Sequence, residues 1–126
     1  MLKIKTGKLT GVALDWVVAK CINSLDQIEL EKVSGEVVLY VPDLCCHFEP
    51  SICWTQGGPI IEREKISISE VPPSIGSGWQ ASKAPTSPLG FKTFALGSSP
   101  LIAAMRCYVS SKLGDNVEIP KELTQC

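Results

Sequence analysis

Ser99-Pro100-Leu101-Ile102-Ala103-Ala104-Met105-Arg106-Cys107-Tyr108-Val109-Ser110-Ser111-Lys112-Leu113-Gly114 is the stretch on which the fold reading turns. Ser99 offers a hydroxyl to the orphan N–H groups of a first helical turn. Pro100 follows it, at the first helical position, where a missing N–H costs nothing. Leu101, Met105, Tyr108 and Ile102, Val109, Leu113 recur at helical spacing as one broad apolar stripe. Arg106, Ser110 and Ser111 lie on the other side. Lys112 complements the C-terminal dipole, and Gly114 supplies the left-handed residue that stops the helix. Start, body and stop agree on a helix over 100–113.

A second helix is predicted over 11–23, with Thr10 as its N-cap. Leu14, Val17, Val18 and Cys21 fall on one side, and Val12, Ala13, Trp16 and Ala19 carry the apolar surface nearly all round. Only Asp15 and Lys20 interrupt it. Such a helix must be covered on most faces.

Strands account for much of the rest. Residues 1–6 alternate Leu2 and Ile4 with Lys3 and Lys5. Glu36–Val41 is rich in β-branched and aromatic residues, and Gln27–Val33 is its expected hairpin partner. Ile66–Val71 alternates strictly. Trp79–Ser82 and Phe91–Leu96 are further candidates. Residues 42–56 read as an irregular loop, 72–90 as a long Pro/Gly/Ser-rich loop, and 115–126 as a polar tail. The sum is one α+β domain: a small, mostly antiparallel sheet packed by the helices 11–23 and 100–113, with a short helix near 59–65.

The 126 residues suffice for one buried core, and the 44% hydrophobic and 20% charged fractions place the chain among globular proteins rather than disordered ones. A net charge of −1 argues against a sequence-independent nucleic-acid binder, whose affinity rests on many phosphate contacts. No apolar run approaches membrane-span length, and the start lacks the continuous apolar stretch of a secretory signal. A cytosolic chain is expected, its six cysteines free thiols rather than disulfides.

The densest local chemistry is Trp54-Thr55-Gln56-Gly57-Gly58-Pro59-Ile60-Ile61-Glu62-Arg63-Glu64. Read as a glycine loop before a helix opened by Pro59, it offers backbone N–H groups to an anion, Trp54 to stack and Arg63 to pair. Against that, Pro59 removes a donor, Glu62 and Glu64 add negative charge, and no Lys-Ser or Lys-Thr follows, so it is not a P-loop. A tight turn with Trp54 packed is the heavier reading.

Together with Lys3-Ile4-Lys5-Thr6…Leu9-Thr10-Gly11-Val12-Ala13-Leu14-Asp15-Trp16-Val17-Val18-Ala19-Lys20-Cys21 and Pro100-Leu101-Ile102-Ala103-Ala104-Met105-Arg106-Cys107-Tyr108-Val109, this stretch resembles the NinX-like family of phage and prophage proteins. The order and spacing agree over nearly the whole chain. Cys45-Cys46-His47 and the loop 72–90 depart from the family pattern. The resemblance implies a phage or prophage protein acting in the cytoplasm of the host bacterium. It brings no activity, substrate or catalytic residue with it.

The remaining chemistry is sparse. Cys45, Cys46, His47 and Cys53 suit zinc by type, but adjacent cysteines splay apart in an extended chain and the Cys-x-x-Cys pair is missing. No metal, cofactor or catalytic set is assigned. Asp15 is either on the exposed strip of its helix, the heavier reading, or buried and paired, with Arg106 as candidate partner. The expected function is binding rather than catalysis, to a host or phage protein. The rival is a small anionic or nucleotide-like ligand, or an enzyme, using a pocket of Asp15, Trp16, Trp54, Gly57, Gly58, Arg63, Trp79 and Arg106. A third reading is weak nucleic-acid binding through Lys3, Lys5 and Lys8.

Overall fold

A computed structural model describes residues 2–22, 29–33, 36–41, 46–85 and 92–123. Asn23, Pro42, Cys45, Phe91 and Cys126, which figure in the sequence reading or among its cysteines, lie outside the described residues. In chain order the elements are β1 (Leu2–Lys5), a 3-10 turn (Thr6–Lys8), α1 (Gly11–Cys21), β2 (Glu29–Val33), β3 (Glu36–Val41) and β4 (Cys46–His47). Then come α2 (Trp54–Glu64), β5 (Ser67–Glu70), β6 (Trp79–Lys83), β7 (Thr93–Gly97), α3 (Pro100–Leu113), β8 (Asn116–Ile119) and a 3-10 turn (Lys121–Leu123). The class is α+β, and among the described residues every strand pairing is antiparallel, divided over three small sheets: β1-β8, β2-β3-β4 and β5-β6-β7.

α3 is the element the others pack on. The Ser99 hydroxyl accepts from the Ile102 N–H at 3.2 Å, so the predicted cap is made. Gly114 follows at φ +83°, a conformation that favours glycine. Leu101, Ala103, Ala104, Met105, Cys107, Tyr108 and Val109 are all buried, so the helix is covered well beyond one stripe. It packs against α1, α2 and the β5-β6-β7 sheet. The small residues permit close approach: a Cβ added at Gly97 of β7 would stand 2.5 Å from the Ala103 nitrogen. α1 lies alongside with Leu14, Val17, Val18 and Ala19 in the core. Thr10 takes the N-cap backbone conformation, but its hydroxyl makes no capping bond, contrary to expectation.

The segment read as a polar tail is instead half of a sheet. β8 pairs with β1 in the register Leu2↔Ile119 to Lys5↔Asn116. Val117 and Ile119 are buried, while Asn116 and Glu118 between them are exposed. Thr6 fastens this corner by donating its N–H to the Asp115 carbonyl at 2.8 Å and its hydroxyl to the Gly114 carbonyl at 2.7 Å. Bonds of that kind keep a buried polar residue satisfied.

Two further corrections concern the middle of the chain. Residues 46–47, within the expected loop, pair as Tyr40↔His47 and Val41↔Cys46. The helix expected to start at Pro59 starts at Trp54, so Gly57 and Gly58 are helical residues and no glycine loop exists. The Gln56 side chain steadies the entry, accepting from the Glu49 N–H at 2.6 Å and donating to the His47 carbonyl at 2.8 Å. Pro59 forgoes its bond to the Thr55 carbonyl, but both residues are exposed, so water can take the donor's place. The expected strand within 72–90 is present as β6. It is joined to β5 by a turn in which the Val71 N–H reaches the Gly78 carbonyl at 3.0 Å.

Glu64, at the end of α2, ties three elements together. Its carboxylate lies 3.1 Å from Lys83 of β6, 3.6 Å from Lys112 of α3 and 3.1 Å from Arg63. Burial alone would raise this carboxyl, but bonds from Lys83 and Arg63 and the charges of Lys112 and Lys83 hold it below the ordinary glutamate value. Lys83 is itself largely covered, so Glu64→Gln leaves an ammonium without its counterion. The expected cost in urea unfolding at neutral pH is about 1–2 kcal/mol. Stability from a lowered carboxyl is present at neutral pH and lost on acidification, so the deficit shrinks as the pH falls. A deficit unchanged by pH would show that Glu64 acts by packing alone.

Candidate binding groove around Arg106

Arg106 sits on the side of α3 facing the junction of two sheets. Its Nε donates to the Leu9 carbonyl and its Nη1 to the Leu96 carbonyl, both at 2.8 Å. The guanidinium therefore bolts the end of the first 3-10 turn to β7. Desolvation lowers its affinity for the proton, although an arginine remains charged at any physiological pH. Among the described residues it forms no ion pair.

Two concavities meet at this residue. One, of about 660 Å3, is lined by Lys5, Lys8, Phe94, Leu96, Arg106 and Ser110, with Asp115 and Asn116 at one end. The other, of about 700 Å3, has Glu70, Gly78, Trp79 and Ser98 around the same Leu96 and Arg106. Both are open grooves. Phe94 and Leu96 stand out at 56% and 54% exposure. Register explains why. In β7 the small residues Ala95 and Gly97 pair with Ala81 and Trp79 on the face turned to α3, which puts Phe94 and Leu96 on the other face, opposite Ser82 and Gln80.

The residues expected to share one pocket are dispersed. Trp79 and Arg106 do share a cavity wall. Trp16 lines a separate depression of about 480 Å3, with the Lys20 ammonium 5.2 Å from its ring. Asp15, Trp54, Gly57, Gly58 and Arg63 line neither groove at Arg106. Trp54 is 56% exposed at the start of α2, Arg63 is exposed beside Glu64, and Gly57 is buried beneath Pro50 and Leu101. Asp15, weighed as exposed or as a partner of Arg106, is 3% exposed and bonded to Ser51 instead. Its Oδ1 accepts the Ser51 N–H at 2.9 Å and its Oδ2 the Ser51 hydroxyl at 3.0 Å. Burial pushes its carboxyl up to about 7, against the lowering effect of those two bonds, with a further raising contribution from Glu49.

The thiols of the two helices α1 and α3 are muted. Burial raises Cys21 and Cys107 to about 11, partly offset by the charges of Lys112 and Lys83 respectively, so both are protonated thiols packed as small apolar groups. Among the described residues no three His, Cys, Asp or Glu side chains gather closely enough to hold a metal ion. No helix among them is long and apolar enough to cross a membrane. What sequence reasoning missed at the groove is Phe94 and Leu96. Their alternation was visible, but large apolar residues are read as inward by default.

No curated protein matches the chain. The sequence pattern of the family described as "Bacteriophage P22, NinX" matches it over residues 5–112, from the lysine on the groove wall through nearly all of α3. That span takes in α1, α2 and all but the last residue of α3, with the residues that set Arg106 between β7 and the first 3-10 turn, and on it the chain belongs to the Bacteriophage P22 NinX family.

Proposed function

We propose that this phage-family chain is an accessory protein that works by binding a host or phage protein in the bacterial cytoplasm, with no reaction of its own, and that the groove around Arg106 is where it binds. The observation that carries this reading is the exposure of Phe94 and Leu96 beside Lys5, Lys8 and Arg106. Large apolar side chains framed by polar and charged ones mark interaction surfaces. The small-ligand reading through Trp54, Gly57 and Gly58 loses its support, because those residues are part of a helix and Gly57 is covered.

Site-specific photo-crosslinking tests it. A photoreactive amino acid replaces Phe94 in one variant and Ile75, an exposed residue of the β5–β6 turn that lines neither concavity, in another. Both are expressed in phage-carrying host cells. A discrete protein adduct is expected from position 94 and not from position 75. Identical adduct patterns, or none at position 94, would rule the groove out as the binding face.

A further inference from the structure

We infer that the Arg106 groove receives an extended, acidic segment of a partner protein, added as a fourth strand along the open edge of β7. The inference rests on the binding reading above and specifies the class of occupant. Phe94, Ala95 and Leu96 all line the groove. Successive side chains of a strand point to opposite faces, so a wall built from three consecutive residues is the strand's edge. Among the described residues β7 has β6 on one side and no strand on the other. Arg106 takes the Leu96 carbonyl on this edge, so what the edge offers a peptide is the Leu96 N–H and the main-chain groups of Phe94, which face the same way, and such groups are the means by which extended peptides add to sheets.

The opposite wall runs through Lys5, Thr6, Gly7 and Lys8, and α3 contributes Arg106 and Ser110, one helical turn apart, between the two walls. The space is thus a slot alongside a strand. Its charge is one-sided: Lys5, Lys8 and Arg106 against Asp115. That balance favours acidic side chains in the occupant and disfavours a second copy of this chain, which would bring the same cations to a two-fold contact. Apolar side chains at alternate positions of the occupant fall on the outer face, beside Phe94 and Leu96. A nucleic-acid strand is the weaker fit, because three cations neutralise little of a phosphate backbone and leave the peptide edge unused. The plain structural reading is that lysines beside an edge strand guard it against unwanted pairing.

Labelled octapeptides separate these readings. Alternating Glu-Val and alternating Lys-Val peptides, the Glu-Val peptide N-methylated either on its Val or on its Glu residues, and oligo-dT are titrated into the purified full chain. Binding is followed by fluorescence anisotropy. The Glu-Val peptide is expected to bind at least tenfold more tightly than Lys-Val. One methylated set should lose binding and the other keep it, since a strand bonds its neighbour through alternate residues. The exposed pair Lys5→Glu/Lys8→Glu should weaken binding about tenfold, as a loss of about 1.4 kcal/mol corresponds to that factor. Amide exchange at Phe94 and Leu96 should slow in the complex. Equal binding of both charge patterns or of both methylated sets, preference for oligo-dT, or no binding to any probe each overturns strand addition. If adducts at position 94 persist while no peptide binds, strand addition alone fails; if the adducts are absent too, the groove itself is excluded.

Discussion

Asp15→Asn is expected to make the protein more stable at pH 8 and to flatten its stability between pH 4 and 8. The carboxyl of Asp15 stands at about 7 in the fold against an ordinary 3.8. Between those values the native state keeps a proton that the unfolded chain has released, so the unfolded state binds fewer protons and stability falls as the pH rises. The contribution is fully present below about 4 and lost as the pH climbs through about 7. The whole gap corresponds to about 4 kcal/mol, of which about 2–3 kcal/mol falls between pH 5 and 8. An amide has the same shape, accepts from the Ser51 N–H, and can donate to the Ser51 hydroxyl that formerly donated to the acid. Both bonds therefore survive without a charge to bury. Asp15→Ala instead leaves two buried donors of Ser51 without an acceptor and should cost about 1–3 kcal/mol at pH 5. Urea midpoints at pH 5 and pH 8 for wild type and both variants decide the matter. Parallel pH profiles for wild type and Asp15→Asn would mean that Asp15 is ionised throughout and that Ser51 compensates the buried charge.

What was legible in the sequence follows from where each signal is stored. α3 was readable from end to end because Ser99, Pro100, Lys112 and Gly114 act on their own helix, within a turn of where they stand. The β2-β3 hairpin was readable for the same local reason. β8 was not, although Asn116-Val117-Glu118-Ile119 alternates, because what makes it a strand is β1, at the other end of the chain. The strand at β7 was legible but not its facing, which packing sets. α3 comes so near that only Ala95 and Gly97 fit against it, so the large residues turn outward and create the groove. Asp15 was ambiguous because burial of a carboxylate depends on a partner, and Ser51, 36 positions away, carries no mark of that role in sequence. The candidate site suffered most. It was assembled from residue types with chemical potential, and the fold placed most of them on separate surfaces.

The adjacent glycines of α2 give the second large effect, and they should act in opposite directions. A Cβ at Gly57 would stand 2.6 Å from Leu101 Cδ2 and 2.6 Å from the Pro50 carbonyl oxygen. The leucine end can move, but the Pro50 carbonyl is backbone, one residue from the Ser51 that holds Asp15. Gly57→Ala must push α2 off that segment and is expected to cost about 1–3 kcal/mol, with Gly57→Val at or above the upper end. At Gly58 a Cβ meets nothing within 4 Å. Gly58→Ala restricts the unfolded chain and favours the helix, so it should stabilise by about 0.5–1 kcal/mol. A loop reading predicts no difference between them: without a helix Gly58→Ala gains nothing, and without the Pro50 contact Gly57→Ala is harmless. Thermal unfolding of the two single variants is therefore a direct test of where α2 begins. A destabilised Gly57→Ala beside a stabilised Gly58→Ala fixes the start of the helix ahead of Gly57. Two neutral variants would return the segment to a turn before Pro59 and detach α2 from the Pro50–Ser51 contact that anchors it.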